Sequence, residues 1–290
     1  MNFCQGPDPK PRSPSFSVPK NACDAHCHVF GPNEIFPFSE NRTYTPPDAP
    51  LEALQNLQKI LGIERAVIVQ ATCHGTDNTA TLDAIAQSGG RYKGVAIVDE
   101  SFSDKEFRFL HDGGIRGIRF SFARHIGSTP DFSLVQQITE RVVKFGWHVV
   151  IYMEASDIVE NADKLANLPL PVVIDHMGRV KTIDGVNQEP FQILLRLLQE
   201  KHDFWIKICG SERISSGGSP YLDAVPFAQA CIAAAPDRVL WGSDWPHPNL
   251  NGYMPNDGDL MNLLALHVPD ERLRNQILVD NPDRLYGFSN

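Results

Sequence analysis

Three imidazoles, one carboxylate and a small set of guanidinium groups close the apolar runs of this sequence. His26 and His28 end the run ACDAHCHVF. Asp175 and His176 end PVVIDHMG, and Asp244 ends RVLWGSD. Residues two apart on a strand point to the same side, so both imidazoles of His26-Cys27-His28 can enter one site. Either can bind a metal or donate to a developing oxyanion. Taken singly, Asp175 suits a turn or cap, and Asp244 suits a helix N-cap. Taken together, His26, His28, His176 and Asp244 form a set that can activate water. A carboxylate near cationic groups stays ionised and serves as general base. The same four residues offer ligands for a single Zn2+, which needs three or four such groups.

The arginines point to the charge of the substrate. Arg119 and Arg124 flank the exit of the run GIRF, and Arg213 lies in ICGSERIS after the run FWIKICG. Buried carboxylates demand guanidinium partners. Arg179 follows His176 and serves either the substrate or the orientation of Asp175 or Asp244. Arg108, Arg141 and Arg196 fall in helical patterns and read as surface ion-pair residues. In ATCHGTDN, Cys73 and His74 are adjacent. Neighbours on a strand point oppositely, so a thiol nucleophile with its own base is poorly served there, and His74 reads as a substrate contact. His247, bracketed by Pro246 and Pro248, reads as a rigid loop element. The residues alone lead to a hydrolase for a small polyanion.

The elements that must position these groups are legible as alternation. Eight short apolar runs occupy residues 22–30, 65–71, 92–99, 117–120, 148–155, 171–178, 204–210 and 238–244. Several are continuous Val/Ile stretches, as in strands covered on both faces. Amphipathic helical segments lie between them; LEALQNLQKIL places Leu51, Leu54, Leu57 and Leu61 on one face. Strand and helix alternating eight times predict a (β/α)8 TIM-type barrel, whose active site lies where the strands end. A doubly wound open sheet is the alternative. It wants a glycine-rich phosphate loop after the first strand, and CDAHCHVFGP is not one. Residues 1–20 are Pro- and Ser-rich without periodicity and read as a flexible extended arm; residues 21–290 read as a single catalytic domain.

Composition excludes several classes. The chain has 290 residues, 42% hydrophobic, and a formal net charge of −9. Acidity argues against nucleic acid or an anionic membrane surface as partner. No stretch approaches a membrane span, and the N-terminus lacks the apolar core of a secretory signal. The six cysteines form no C-x-x-C pair, which reads as reduced thiols in a cytoplasmic protein.

The motifs DAHCHVFGP, VIVQATCHGTDN, GIRGIRFSF, WHVVIYMEA, VVIDHMGR and VLWGSDWPHPN, spread from about Asn21 to Tyr286, together resemble the amidohydrolase superfamily. Within it they most resemble the 2-pyrone-4,6-dicarboxylate lactonase family. The resemblance implies an amidohydrolase-like barrel and reversible, metal-independent opening of that lactone. The product is the open-chain 4-oxalomesaconate/4-carboxy-2-hydroxymuconate of protocatechuate 4,5-cleavage catabolism. It implies that Arg119, Arg124 and Arg213 grip the two carboxylates, with Tyr44, His74, Thr76 and Tyr152 as accessory contacts. Binuclear members of the superfamily add a bridging Lys or Glu on strand four and a His on strand five; here stand Arg119-Phe120 and Tyr152-Met153-Glu154. No cofactor is expected, with a single Zn2+ on His26, His28, His176 and Asp244 as the alternative. Without metal, Asp244 takes a proton from water while His26, His28 and His176 hydrogen-bond to the carbonyl oxygen. A sulfomuconolactone hydrolase, a zinc-dependent decarboxylase and a non-catalytic anion-binding barrel remain open. The expected partner is a small dicarboxylate lactone, and the chain is expected to be a monomer or small homo-oligomer.

Overall fold

In the computed structural model, which describes residues 2–126, 129–250 and 252–288, the eight apolar runs become eight parallel strands. We label them β1 (Cys23–Cys27), β2 (Arg65–Val69), β3 (Tyr92–Ala96), β4 (Ile115–Ser121), β5 (His148–Tyr152), β6 (Val172–Ile174), β7 (Phe204–Lys207) and β8 (Val239–Leu240). Each pairs with its sequence neighbours. The ring is completed beyond the short β8. Ala25 donates its backbone N–H to Trp241, Asp244 donates to His26, and His28 donates to Trp245. The fold is the (β/α)8 barrel expected from the alternation.

Most strand residues are buried because both faces are covered. One cluster fills the barrel interior: Cys23, Ala25, Val67, Val69, Val95, Val150, Val173, Trp205 and Leu240, closed below by Tyr286. The alternate residues, among them Ala66, Ile68, Ile118, Ile151 and Ile206, pack outward on the helices. A period of two therefore decides which polar residues face inward above that plug. Arg119 continues β4 on the inner side, Tyr152 follows Val150, Asp175 follows Val173, and Lys207 follows Trp205. β1 departs from simple alternation. Its register shifts between Asp24 and Cys27, and across this irregularity both His26 and His28 enter the barrel. Bulges next to active sites commonly re-aim a side chain in this way.

The helices form where the amphipathic patterns place them. Leu51–Leu61 buries Leu51, Leu54, Leu57 and Leu61, and stops at Gly62 with φ 74°. Asp104–Asp112 begins with a capping box between Ser103 and Glu106. The helix Ala155–Ala166 is likewise amphipathic, burying Ile158, Ala162 and Leu165, whereas Asp257–His267 is buried on most sides and carries little periodicity. Among the described residues no helix is long and apolar enough to cross a membrane.

Of the stretch 1–20, read as a flexible arm, residues 2–20 lie along the barrel as an extended segment fastened by individual bonds. Asn2–Phe3 pair with Tyr44–Thr45. Asn256 accepts from the Arg12 backbone and donates to Asp8 and Lys10. Ser15 bonds Asn262. A Cβ at Gly258 would sit 2.0 Å from the Arg12 carbonyl oxygen, so only glycine admits the arm here.

Candidate active site

The four residues singled out for water activation meet at one atom. Asp244 Oδ1 lies 3.4 Å from His26 Nε2, 3.4 Å from His28 Nε2 and 3.8 Å from His176 Nε2. All four side chains are buried. Strained backbone holds two of them. Asp244 has φ 61°, and His176, Met177, Gly178 and Arg179 all have positive φ. Successive left-handed residues outside glycine are rare and cluster at functional sites. Glycines let the chain crowd the rings. A Cβ at Gly242 would lie 2.6 Å from His26 Cβ, and one at Gly210 would lie 2.7 Å from His176 Nδ1.

Around this focus the charges are layered. Arg213 Nε donates to Asp244 Oδ2 at 2.5 Å, and Arg213 Nη2 donates to the Pro248 carbonyl at 3.1 Å. Burial opposes ionisation of Asp244, yet the charge of Arg213, aided by the neighbouring histidines, holds its pKa well below the usual carboxylate value. Burial pushes the pKa of His176 well below its ordinary 6.5 against the pull of Asp244. Burial first, then the charge of Lys207, brings His26 down to about 3. Both rings are neutral near pH 7.

One layer deeper is a cluster that reading the sequence missed. Asp175 Oδ2 accepts the Nε–H of Arg119 at 2.9 Å and lies 2.9 Å from its Nη2. Its Oδ1 lies 3.1 Å from Lys207 Nζ and 3.2 Å from His26 Nδ1. Lys207 is fully buried and hydrogen-bonds His26 Nδ1 at 2.9 Å. Asp175 is thus the anion beneath the site rather than a turn or cap residue. Burial resists its ionisation, but Lys207, His26 and Arg119 together hold its pKa far down. The available signal was a lysine two residues after Trp205, on the inner face of an otherwise apolar strand. A second buried cluster lies behind the Asp244 loop. His247 Nε2 is 3.1 Å from Asp257 and its Nδ1 is 3.7 Å from Glu212. Burial opposes its protonation, but Asp257 and Glu212 raise it to about 10, so His247 is an imidazolium and more than a loop stiffener.

A narrow cleft opens onto the focus, lined among others by His28, His176, Asp244, Arg119, Arg213 and Tyr152. Tyr44 also lines it, with its hydroxyl 3.3 Å from Thr72 Oγ1. Arg179 binds Glu154 at 3.1 Å and the Tyr152 hydroxyl at 2.6 Å, so it orients Tyr152 rather than Asp175 or Asp244. Arg124 sits exposed in the turn Arg124–Ile126, whose last residue lines the cleft. His74 is buried between Phe30 and Phe38, its ring 6.1 and 4.9 Å from theirs, and Thr76 is exposed; neither is among the lining residues. Cys73 lies in a 3-10 turn with a thiol that burial raises to about 12, which leaves it no thiolate for nucleophilic attack.

The spacing at the focus admits a metal: tetrahedral zinc with bonds of about 2.0–2.1 Å sets its ligands roughly 3.3 Å apart. The protons do not suit one. A histidine that binds zinc through Nε2 normally donates its Nδ1–H to an acceptor. The partner that makes the hydrogen bond to His26 Nδ1 is an ammonium, which has no acceptor atom. His26, with an ammonium in place of an acceptor at Nδ1, does not fit zinc as arranged.

The family model for amidohydrolases matches residues 23–288. The chain is 46% identical over 284 residues to the 2-pyrone-4,6-dicarboxylate hydrolase of Comamonas testosteroni, covering 95% of this chain and 93% of that one. It is 45% identical to the 4-sulfomuconolactone hydrolase of Rhizobium radiobacter, covering 98% and 96%. Among solved structures it superposes on a probable 2-pyrone-4,6-dicarboxylic acid hydrolase from Acinetobacter baumannii with TM-score 0.80 and 27% identity, covering 92% and 99%. The chain belongs to the amidohydrolase family.

Proposed function

We propose that this protein hydrolyses an anionic lactone, 2-pyrone-4,6-dicarboxylate, to its open-chain tricarboxylate, reversibly and without a metal. The observation that carries the proposal is the convergence of one ionised carboxylate and three imidazoles at one buried point, which reaches a small cleft lined by guanidinium groups through Asp244, His28 and His176. Water bound at Asp244 attacks the ring carbonyl carbon as Asp244 takes its proton. The carbonyl oxygen becomes an oxyanion, and the imidazoles absorb that charge. The adduct collapses, the ring C–O bond breaks, and the ring oxygen leaves as an enolate. Asp244 passes its proton to that enolate, and the new carboxylic acid ionises, so that one carboxylate and one proton result.

Arg213 supports both halves of this scheme. It keeps Asp244 ionised, and it lines the cleft with Arg119, where a carboxylate of the substrate finds its partner. A strongly depressed carboxylate is a weak base. Arrival of the substrate's two negative charges raises the proton affinity of Asp244 when a proton must be taken. Arg124 at the rim supplies a further guanidinium. The reaction belongs to catabolism of protocatechuate in the cytoplasm.

The high similarity to a sulfomuconolactone hydrolase supports a second reading, in which the anion held is a sulfonate. A lactone panel assayed by ultraviolet absorbance, on chelator-treated protein with metal analysis alongside, tests both. The proposal expects rapid loss of the pyrone dicarboxylate with negligible metal. Preference for the sulfonated lactone moves the assignment to the second reading. Activity lost on chelation and restored by zinc overturns the mechanism.

A further inference from the structure

We infer that Lys207 fixes the tautomer of His26, so that this ring accepts through Nδ1 and carries its proton on Nε2. This deepens the proposed metal-free mechanism and rests on it for its catalytic consequence, but its physical content is independent of the substrate. His28 Nδ1 lies 2.7 Å from the Val69 carbonyl. A carbonyl only accepts, so His28 carries a proton on Nδ1. His26 is the reverse. Its Nδ1 lies 2.9 Å from Lys207 Nζ, in good hydrogen-bond geometry. An ammonium only donates, so Nδ1 accepts, and the neutral ring carries its proton on Nε2.

Asp175 is the competitor for His26 Nδ1, at 3.2 Å. Its Oδ1 meets no donor at an acceptable angle, whereas Lys207 does bond the ring nitrogen. A proton on Nδ1 would also point at the ammonium. Asp175 therefore acts as the counter-ion of Lys207 and Arg119, not as the acceptor of an imidazole N–H. His26 Nε2 is buried and completes no hydrogen bond among the described residues. It lies 3.4 Å from Asp244 Oδ1, longer than a formed bond. This is a donor held ready for an oxygen that arrives with the substrate. Lys207 is thus a positioning residue. In a motif that elsewhere supplies two metal ligands, one buried ammonium holds His26 Nε2–H as a donor.

Nitrogen-15 spectra of histidine-labelled protein near pH 7, assigned with His26→Asn and His28→Asn, read the tautomers without substrate. We expect protonated Nε2 on His26 and protonated Nδ1 on His28. Both rings protonated on Nδ1 would overturn the inference even if the lactone were turned over. Lys207→Met, which retains the length of the stem, frees His26 Nδ1 to donate to Asp175. The His26 tautomer should then invert, and the protein should retain about one zinc per chain after loading and desalting, where wild type retains little. Its kcat on the pyrone should fall by roughly 10²–10³-fold, as for loss of one oxyanion donor, with KM little changed. A folded Lys207→Met protein with the wild-type tautomer, or wild type holding stoichiometric zinc, would overturn it. If Lys207→Met does not fold, the wild-type spectra decide.

Discussion

Replacing Arg213 by Met separates the two tasks assigned to this guanidinium. In the structure it donates to Asp244 Oδ2 at 2.5 Å from a site where both side chains are almost completely buried. Removing one partner of a buried ion pair costs about 3–5 kcal/mol, because the remaining charge is left uncompensated. At 1.36 kcal/mol per pKa unit, that corresponds to a rise of roughly 2–3.5 units for Asp244. In wild type the group lies well below 3.8. Its folded-state pKa is depressed, so its contribution to stability is present above the unfolded pKa and is lost as pH falls through the folded one. The substitution moves that loss upward in pH. The acid limb of kcat/KM should therefore move up by about 2 units or more, and acid unfolding should begin at higher pH. Loss of a carboxylate partner should also raise KM. The assay is the pH profile of pyrone ring opening by ultraviolet absorbance, with urea denaturation at each pH. An Arg213→Met protein with the wild-type profile and unchanged KM would refute the reasoning, since neither clamp nor substrate grip would then exist.

Further expectations follow from residues around the site. Arg124 is exposed in the free protein, so Arg124→Met should leave the thermal midpoint within about 1 °C. A carboxylate partner lost from the complex costs about 2–5 kcal/mol, which steady-state KM would register as at least a tenfold rise; unchanged KM removes Arg124 from the binding site. His247 is raised to about 10 from an ordinary 6.5. Its stabilising contribution is therefore complete below about 6.5 and fades as pH rises toward 10. Wild type should lose stability relative to His247→Gln between pH 6.5 and 9.5 in urea titrations, by on the order of 4 kcal/mol at the upper limit; parallel curves would mean His247 is neutral in the folded protein. At Gly258, alanine should displace the arm at Arg12. That should cost about 1–3 kcal/mol and speed proteolysis near residue 12, whereas a protease pattern like wild type would show that the arm does not rest there.

The barrel was legible because parallel strands covered on both faces must be continuously apolar, as in VVI before Asp175 and VLW before Asp244. The same logic put His26, His28, His176 and Asp244 at strand mouths, where the structure brings them around one oxygen. What escaped was whatever depends on distant partners. Lys207 ends FWIK as an unremarked polar residue, and its meaning appears only when the ring closes and brings it to His26, 181 positions away. The imidazolium character of His247 depends on Glu212 and Asp257, which come from two different helices. The anchoring of residues 1–20 rests on single side chains such as Asn256 and Asn262, and these leave no periodicity to read. His74 was recognisable as a loop histidine, but its packing between Phe30 and Phe38 needed the folded loop.

The central claim is that the Asp244 carboxylate takes the proton of the attacking water. Asp244→Asn keeps the volume and the hydrogen-bonding reach of this side chain and removes its basicity. Metal-stripped Asp244→Asn, mixed with the pyrone dicarboxylate in single-turnover experiments, should bind it with an affinity near that of wild type. It should open the ring more slowly by on the order of 10²–10⁴-fold. Ring opening at the wild-type rate by this variant would contradict the account.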